Sequence, residues 1–218
     1  MKAPWVLLML LLAMGASSGG TPPGGVKLDQ PVFLPQTDDL LQYDDGIALW
    51  LTWGGLYRGV LFDLADFYQP APSGFAIQGV EFWFYQHPAY PWDTAQFVAE
   101  IWNGDETGPT DLLDQAVLEA AHLSGSDWMV SPPDTVGQTF WIILNTSFSS
   151  GGWPSLLGDG TPGTTGSSHS FFSDDRIVWE PWIIGGDTAC DYFIRVEGEP
   201  LDSSVLESLT WGLVKGSF

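Results

Sequence analysis

Apolar residues recur at every second position through most of this 218-residue chain, in short runs separated by glycine, proline, asparagine and aspartate. That alternation restricts the fold more than any other feature. Side chains of a strand point to its two faces in turn, whereas a helix repeats about every 3.6 residues. Between about residues 43 and 197 the runs lie at 48–53, 58–64, 75–85, 96–102, 112–119, 138–144, 168–173, 177–182 and 191–197. Turn chemistry separates them, as in 103–109 (Asn-Gly-Asp-Glu-Thr-Gly-Pro), 131–133 (Ser-Pro-Pro), 158–160 (Gly-Asp-Gly) and 185–187 (Gly-Gly-Asp). About nine short strands with regular turn signals predict an all-β protein, a sandwich or a barrel. One run is ambiguous: Leu113, Ala116, Val117 and Ala120 are also spaced for one face of a helix. The Gly-Pro turn before it suits a meander of neighbours, so it is read as a strand.

The N-terminus reads differently. Lys2 precedes an apolar run over 5–14, and Gly15, Ala16, Ser17 and Ser18 supply small residues for cleavage after Ala16 or Ser18. Residues 1–18 are therefore expected to be a signal peptide, helical before removal. The run is about half the ~20 residues a membrane span needs, so no stable insertion of the mature chain is expected. Residues 19–42 are rich in glycine and proline and read as a linker or an extended arm. A β-sandwich domain is expected over 43–198 and a tail over 199–218.

Composition narrows the partners. Six Lys and Arg face 27 Asp and Glu, for a formal net charge of −21. A basic groove that tracks phosphates is not available to such a chain, so no nucleic acid is expected, and docking on anionic lipid is excluded on the same ground. The single cysteine, Cys190, rules out an internal disulfide framework. It is read as a small buried side chain. No Gly-x-Ser-x-Gly elbow, His-Glu-x-x-His pair or phosphate-cradling glycine loop is present. His87, His122 and His169 sit on three separate segments and read as isolated histidines. The expectation is a non-enzymatic protein.

A resemblance emerges from the order of several short motifs: Tyr43-Asp44-Asp45-Gly46, the run 77–84, the run 98–104, Phe140-Trp141-Ile142-Ile143-Leu144, Ser170-Phe171-Phe172-Ser173 and the run 191–196. That order resembles jelly-roll-type β-sandwich domains of secreted and cell-surface bacterial proteins, across about three-quarters of the chain. The resemblance implies an exported module of adhesive or binding type. Trp211, Gly212, Lys215 and Phe218 resemble the short Trp-Gly-x-(Ile/Val)-Lys-x-x-(Phe/Tyr) tails that close many exported bacterial proteins. This implies recognition by a sorting machinery and a location outside the cell or on its surface. A final edge strand or small helix packing Trp211 and Phe218 is the other reading.

Two candidate sites follow. Alternation places Val80, Phe82 and Phe84 inward and Glu81, Trp83 and Tyr85 outward; it treats Phe97, Ala99 and Ile101 against Val98, Glu100 and Trp102 in the same way. In the last strand Tyr192, Ile194 and Val196 point inward, opposite Phe193 and Arg195. With these strands in one sheet, its outer face would carry Trp83, Tyr85, Trp102 and Phe193 among Glu81, Glu100 and Arg195. Aromatic planes edged by carboxylates suit stacking on a sugar. Alternatively, a loop such as 146–167 seals that face, as the doubly apolar run 140–144 suggests. The second candidate is a calcium site formed where Asp44 and Asp45 meet Asp187 and Asp191, if first and last strands are neighbours. Solvated turn acids are the competing reading. Three functions stay open: adhesion, binding or envelope assembly with a glycan or surface protein as partner; carbohydrate binding through Trp83, Tyr85 and Trp102; and glycoside hydrolysis or lysis, for which no carboxylate pair stands out.

Overall fold

The computed structural model describes residues 24–36, 40–160, 168–184 and 188–201. The signal segment 1–18, Asp187 and the tail residues Trp211, Gly212, Lys215 and Phe218 lie outside them. The chain is all-β. Its strands are β1 (Gly24–Phe33), β2 (Leu40–Leu41), β3 (Ile47–Trp53), β4 (Tyr57–Asp63), β5 (Gly74–Trp83), β6 (Gln96–Asp105), β7 (Gly108–Glu119) and β8 (Gly125–Val136). They continue with β9 (Thr139–Asn145), β10 (Leu156–Gly158), β11 (Ser170–Ser173), β12 (Glu180–Pro181), β13 (Ile183–Ile184), β14 (Thr188–Ala189) and β15 (Ile194–Leu201).

Two sheets form the sandwich. One has six strands in the order β12-β11-β4-β9-β6-β7, the other four in the order β2-β15-β5-β8. Every strand pairing in them is antiparallel. The inward sets expected from alternation meet between the sheets: Val80, Phe82 and Phe84 with Phe97, Ala99 and Ile101, and with Tyr192, Ile194 and Val196. Phe140, Ile142 and Leu144 join them from β9. Burying each such side chain contributes about 1.5–3 kcal/mol, so this layer is the main source of stability.

Strand β9 is buried along nearly its whole length because both of its faces are covered. On the outer side Trp141 packs against Phe171 and Trp179, with ring centroids 5.1 and 5.0 Å apart. Gly59 lies opposite Ile143 in the neighbouring strand. A Cβ there would come within 3.2 Å of Ile143, Trp141 and Trp179, so glycine leaves room for the covering ring.

Three sequence expectations need correction. Residues 24–33 are not a free linker: they form β1, which pairs with β3 in a third sheet of order β1-β3-β10. The alternative reading as an extended arm fits this strand. The strand count exceeds nine, chiefly because of two- and three-residue strands too short to show a period, and because of β8. In β8 the Ser131-Pro132-Pro133 stretch, read as a turn, lies where its register against β5 shifts between Met129 and Asp134. Strand β8 is a sheet edge, and prolines are tolerated at an edge irregularity because no ladder donor is needed there. The run 177–182 contributes only β12. The ambiguous run 112–119 is a strand, as expected.

Candidate functional site: an array of aromatic rings

The outer face proposed for sugar stacking is divided by the fold. Trp83 belongs to β5 in the four-stranded sheet, while Glu100 and Trp102 belong to β6 in the six-stranded sheet. Alternation identifies the two faces of a strand but not the sheet to which it belongs. Trp83 and Phe193 lie beneath the third sheet, packed with Leu28, Ala48, Leu51 and Leu157. Part of the 146–167 loop, strand β10, supplies Leu157 to that cover.

Glu100 is fully buried and not a free acceptor. It accepts from Arg176 Nη2, from Asn145 Nδ2 at 2.7 Å and from Trp102 Nε1 at 2.8 Å. The Arg176 guanidinium lies over the rings of Tyr57 and Trp102, 4.3 and 5.4 Å from their centroids. This group fastens the 174–179 loop onto the sheet.

Of the acids expected to meet at a cation, Asp187 lies outside the described residues, and the other three have partners within the protein. Arg195 Nε and Nη2 donate to both Asp44 oxygens, at 3.0 and 2.7 Å, inside the protein. Burial raises the Asp44 pKa, and the paired guanidinium opposes the rise. Asp45 Oδ1 accepts from Ile47 N, and Asp191 Oδ1 from His169 N and Ser170 Oγ. Asp159, which sequence reasoning did not single out, accepts from the backbone N–H of Asp191 at 2.7 Å and of Asp45 at 3.3 Å. Burial, with the charges of Asp191, Asp45 and Asp44, pushes its pKa up to about 8. Among the described residues no three carboxylate, imidazole or thiolate groups are placed to hold a metal ion. The turn at Asp105 is closed by bonds from Thr107 N and Oγ1.

Tyr85 alone among the predicted stacking residues reaches a group of rings with partial exposure. The array runs Trp153, Trp53, Tyr90, His87, Tyr85, His122, with successive centroids 5.2, 4.7, 5.2, 6.2 and 4.8 Å apart. All but His122 are half-buried, and His122 is exposed. The members come from four segments: the end of β3, the β5–β6 connection, the β7–β8 connection and the β9–β10 connection. Sequence alternation missed five of the six: His87, Tyr90, His122 and Trp153 sit in connections rather than on strand faces, and Trp53 is the last residue of β3. Their signal was a different one, rings placed inside Gly- and Pro-rich connections such as 151–154 and 87–91.

The array is held from below. Arg58 is fully buried, and its Nη1 donates to Thr52 O at 2.8 Å while its Nη2 donates to Gly152 O at 2.7 Å and Pro154 O at 2.9 Å. These carbonyls flank Trp53 on one side and bracket Trp153. Burial draws the Arg58 pKa down to about 10, still far above neutrality, so it remains a cation held by carbonyl dipoles. Gly152 has φ +75, and a Cβ there would meet the Gly54 backbone at 2.6 Å. The two tryptophans stack because their glycine neighbours allow this approach. Ser149 Oγ accepts from Gly151 N and Trp153 N, and Asp93 Oδ2 accepts from Ser150 N and Oγ. Ser155 Oγ donates to Tyr85 O at 2.7 Å and accepts from Trp92 Nε1 at 2.7 Å. His87 Nδ1 accepts from Ala89 N, and His122 Nδ1 from Gln86 N. A neutral imidazole with its Nδ1 so occupied carries its proton on Nε2.

His169, the third histidine, stacks on Tyr43 away from the array, with centroids 3.6 Å apart. In comparisons with known proteins the chain matches no family model, no curated protein and no solved structure.

Proposed function

We propose that this protein is an exported, non-enzymatic β-sandwich of the cell surface that binds a ligand through its ring array, and that the ligand is carbohydrate. The observation that carries the reading is the array itself: six rings from four segments, in which a buried arginine and a close glycine approach hold the Trp53–Trp153 pair. Such construction costs desolvation of Arg58 and constrains the connections, yet it leaves large apolar rings partly in contact with water. Aromatic rings with adjacent hydroxyl and imidazole groups suit the apolar faces and hydroxyl edges of sugars. Export rests on the 1–18 segment, and the sorting reading of the tail on Trp211, Gly212, Lys215 and Phe218.

A glycan microarray probed with the purified protein and with Trp153→Ala tests the reading. Binding to defined glycans that the variant loses supports it. Binding that survives in both Trp153→Ala and Tyr90→Ala, with both variants folded, would place the ligand elsewhere.

A further inference from the structure

We infer that Tyr57, Trp102 and Glu100 form a recognition site for a guanidinium group, that Arg176 occupies it in cis, and that an arginine presented by a partner polypeptide takes it in competition with Arg176. The site shares no residue with the ring array, and the inference stands apart from the carbohydrate reading.

The site is built on the outer face of the six-stranded sheet by three neighbouring strands. Tyr57 comes from β4, Asn145 from β9, and Glu100 and Trp102 from β6. The Glu100 carboxylate is aimed by its neighbours: Asn145 Nδ2 donates to Oε1 at 2.7 Å and Trp102 Nε1 to Oε2 at 2.8 Å. Oε1 also accepts from Arg176 Nη2. The guanidinium carbon lies 4.3 Å from the Tyr57 ring centroid and 5.4 Å from that of Trp102. Removing a carboxylate from water is costly and is offset only by a well-placed opposite charge. Two ring faces beside such a carboxylate suit a planar, weakly hydrated cation that stacks and donates in its own plane. An ammonium group, compact and strongly hydrated, fits less well.

The cis occupant is not sealed in. The Arg176 side chain is 31% exposed, whereas that of Glu100 is 1% exposed. The backbone of the 174–179 loop has fastenings that do not involve the guanidinium. Ser173 Oγ accepts from Arg176 N, Asp175 Oδ1 accepts from Ile177 N and Val178 N, and Trp179 Nε1 donates to Arg176 O. The arginine side chain therefore leaves by rotation about its own bonds while the turn stays in place.

The rim fits a polypeptide. Leu56 precedes Tyr57, Leu112 lies opposite Trp102 in the β6–β7 pairing, and Ile177 follows Arg176; all three are exposed. An arginine flanked by apolar residues would pair with Glu100 at the centre and cover these side chains at the edge, a buried anchor within an apolar surround. The segment Arg176-Ile177-Val178 is itself such a sequence, seated by its own chain, and it is this cis occupant that identifies the chemistry of the partner. A formal net charge of −21 also draws a basic partner towards the protein.

Calorimetric titration of the full chain with acetyl-Gly-Arg-Ile-Val-amide and with its lysine counterpart tests the inference, with methylguanidinium and methylammonium as small probes. Arg176→Ala, which vacates the site, should bind the arginine peptide at least about tenfold more tightly than wild type, because the tethered competitor is gone. Both proteins should prefer the arginine peptide to the lysine peptide by about tenfold, and Arg176→Ala should prefer methylguanidinium to methylammonium. Adding Trp102→Leu to Arg176→Ala should remove the binding. A folded Arg176→Ala protein, judged by circular dichroism, that binds neither guanidinium probe would overturn the inference and leave Arg176 as a fastening of the loop. Wild type that ignores the arginine peptide at millimolar concentration would show that Arg176 does not exchange, and overturns it too. Equal binding of the lysine peptide would defeat the guanidinium assignment. Should Arg176→Ala fail to fold, the comparison of the two peptides on wild type decides by itself.

Discussion

Arg58 donates to the carbonyls on both sides of Trp153, Gly152 O at 2.7 Å and Pro154 O at 2.9 Å, from a fully buried position beneath the β3–β4 turn. A third bond, to Thr52 O, ties the same guanidinium to the residue preceding Trp53. One side chain thus fixes the backbone at both members of the tryptophan stack.

Arg58→Met should lower the unfolding free energy by about 3 kcal/mol, because three buried carbonyls lose their donor at roughly 1 kcal/mol or more each. Arg58→Lys should recover little, since a single ammonium cannot span the three acceptors held by a planar fork. Urea denaturation measures both; values within about 0.5 kcal/mol of wild type would show that the clamp carries no weight.

Gly152→Ala should separate the tryptophans. Its φ of +75 and the 2.6 Å approach of Gly54 leave no room for a methyl group, so the backbone must move. A loss of about 2 kcal/mol is expected, together with a change in near-ultraviolet circular dichroism from the altered Trp53–Trp153 geometry. An unchanged spectrum would count against the coupling.

Asp159 gives stability a pH dependence of defined sign. Its pKa is raised to about 8 in the folded protein, chiefly by burial, above the ordinary aspartate value that it recovers on unfolding. The folded chain keeps a proton that the unfolded chain releases between about pH 4 and pH 8, so this group's contribution falls as pH rises through that window. The slope is at most about 1.4 kcal/mol per pH unit. Asp159→Asn keeps one oxygen, enough to accept the 2.7 Å bond from Asp191 N but not also the longer one from Asp45 N, and removes the titration. Its stability should exceed that of wild type by an amount that grows by about 1 kcal/mol per unit between pH 5 and pH 7. Parallel stability curves would defeat the assignment.

Asp44→Asn should cost about 3–5 kcal/mol by leaving Arg195 buried without its carboxylate. Because both Asp44 oxygens are used by that guanidinium, the loss should be the same in calcium and in chelator. A penalty that calcium removes or enlarges would return Asp44 to the cation site expected from the sequence.

Much of the fold was legible because strand alternation is local. The inward residues of β5, β6 and β15 could be named from sequence, since a period of two assigns faces with no knowledge of neighbours. The double burial of β9 was visible in the same way. Strand β8 was hidden by Pro132 and Pro133, which ordinarily end a strand and here sit at an edge irregularity. Strand β1 was hidden by the Gly and Pro content around it. The candidate site was barely legible. Tyr85 was named, but Trp83 went beneath a third sheet and Trp102 to the opposite layer.

The sequence by itself determined the all-β class, the inward faces and the acidity of the surface, because each depends on composition or on neighbours one or two residues away. The tertiary structure alone decided which sheet each strand joined, and therefore which aromatics were covered. It also decided that Arg58 and Arg195 would be spent inside the protein and that rings from the end of β3 and from three connections would meet at one site. Those outcomes depend on contacts between residues far apart in the chain, such as Arg58 with Pro154 and Asp44 with Arg195. No local pattern encodes them, because their energy appears only when the sheets have packed.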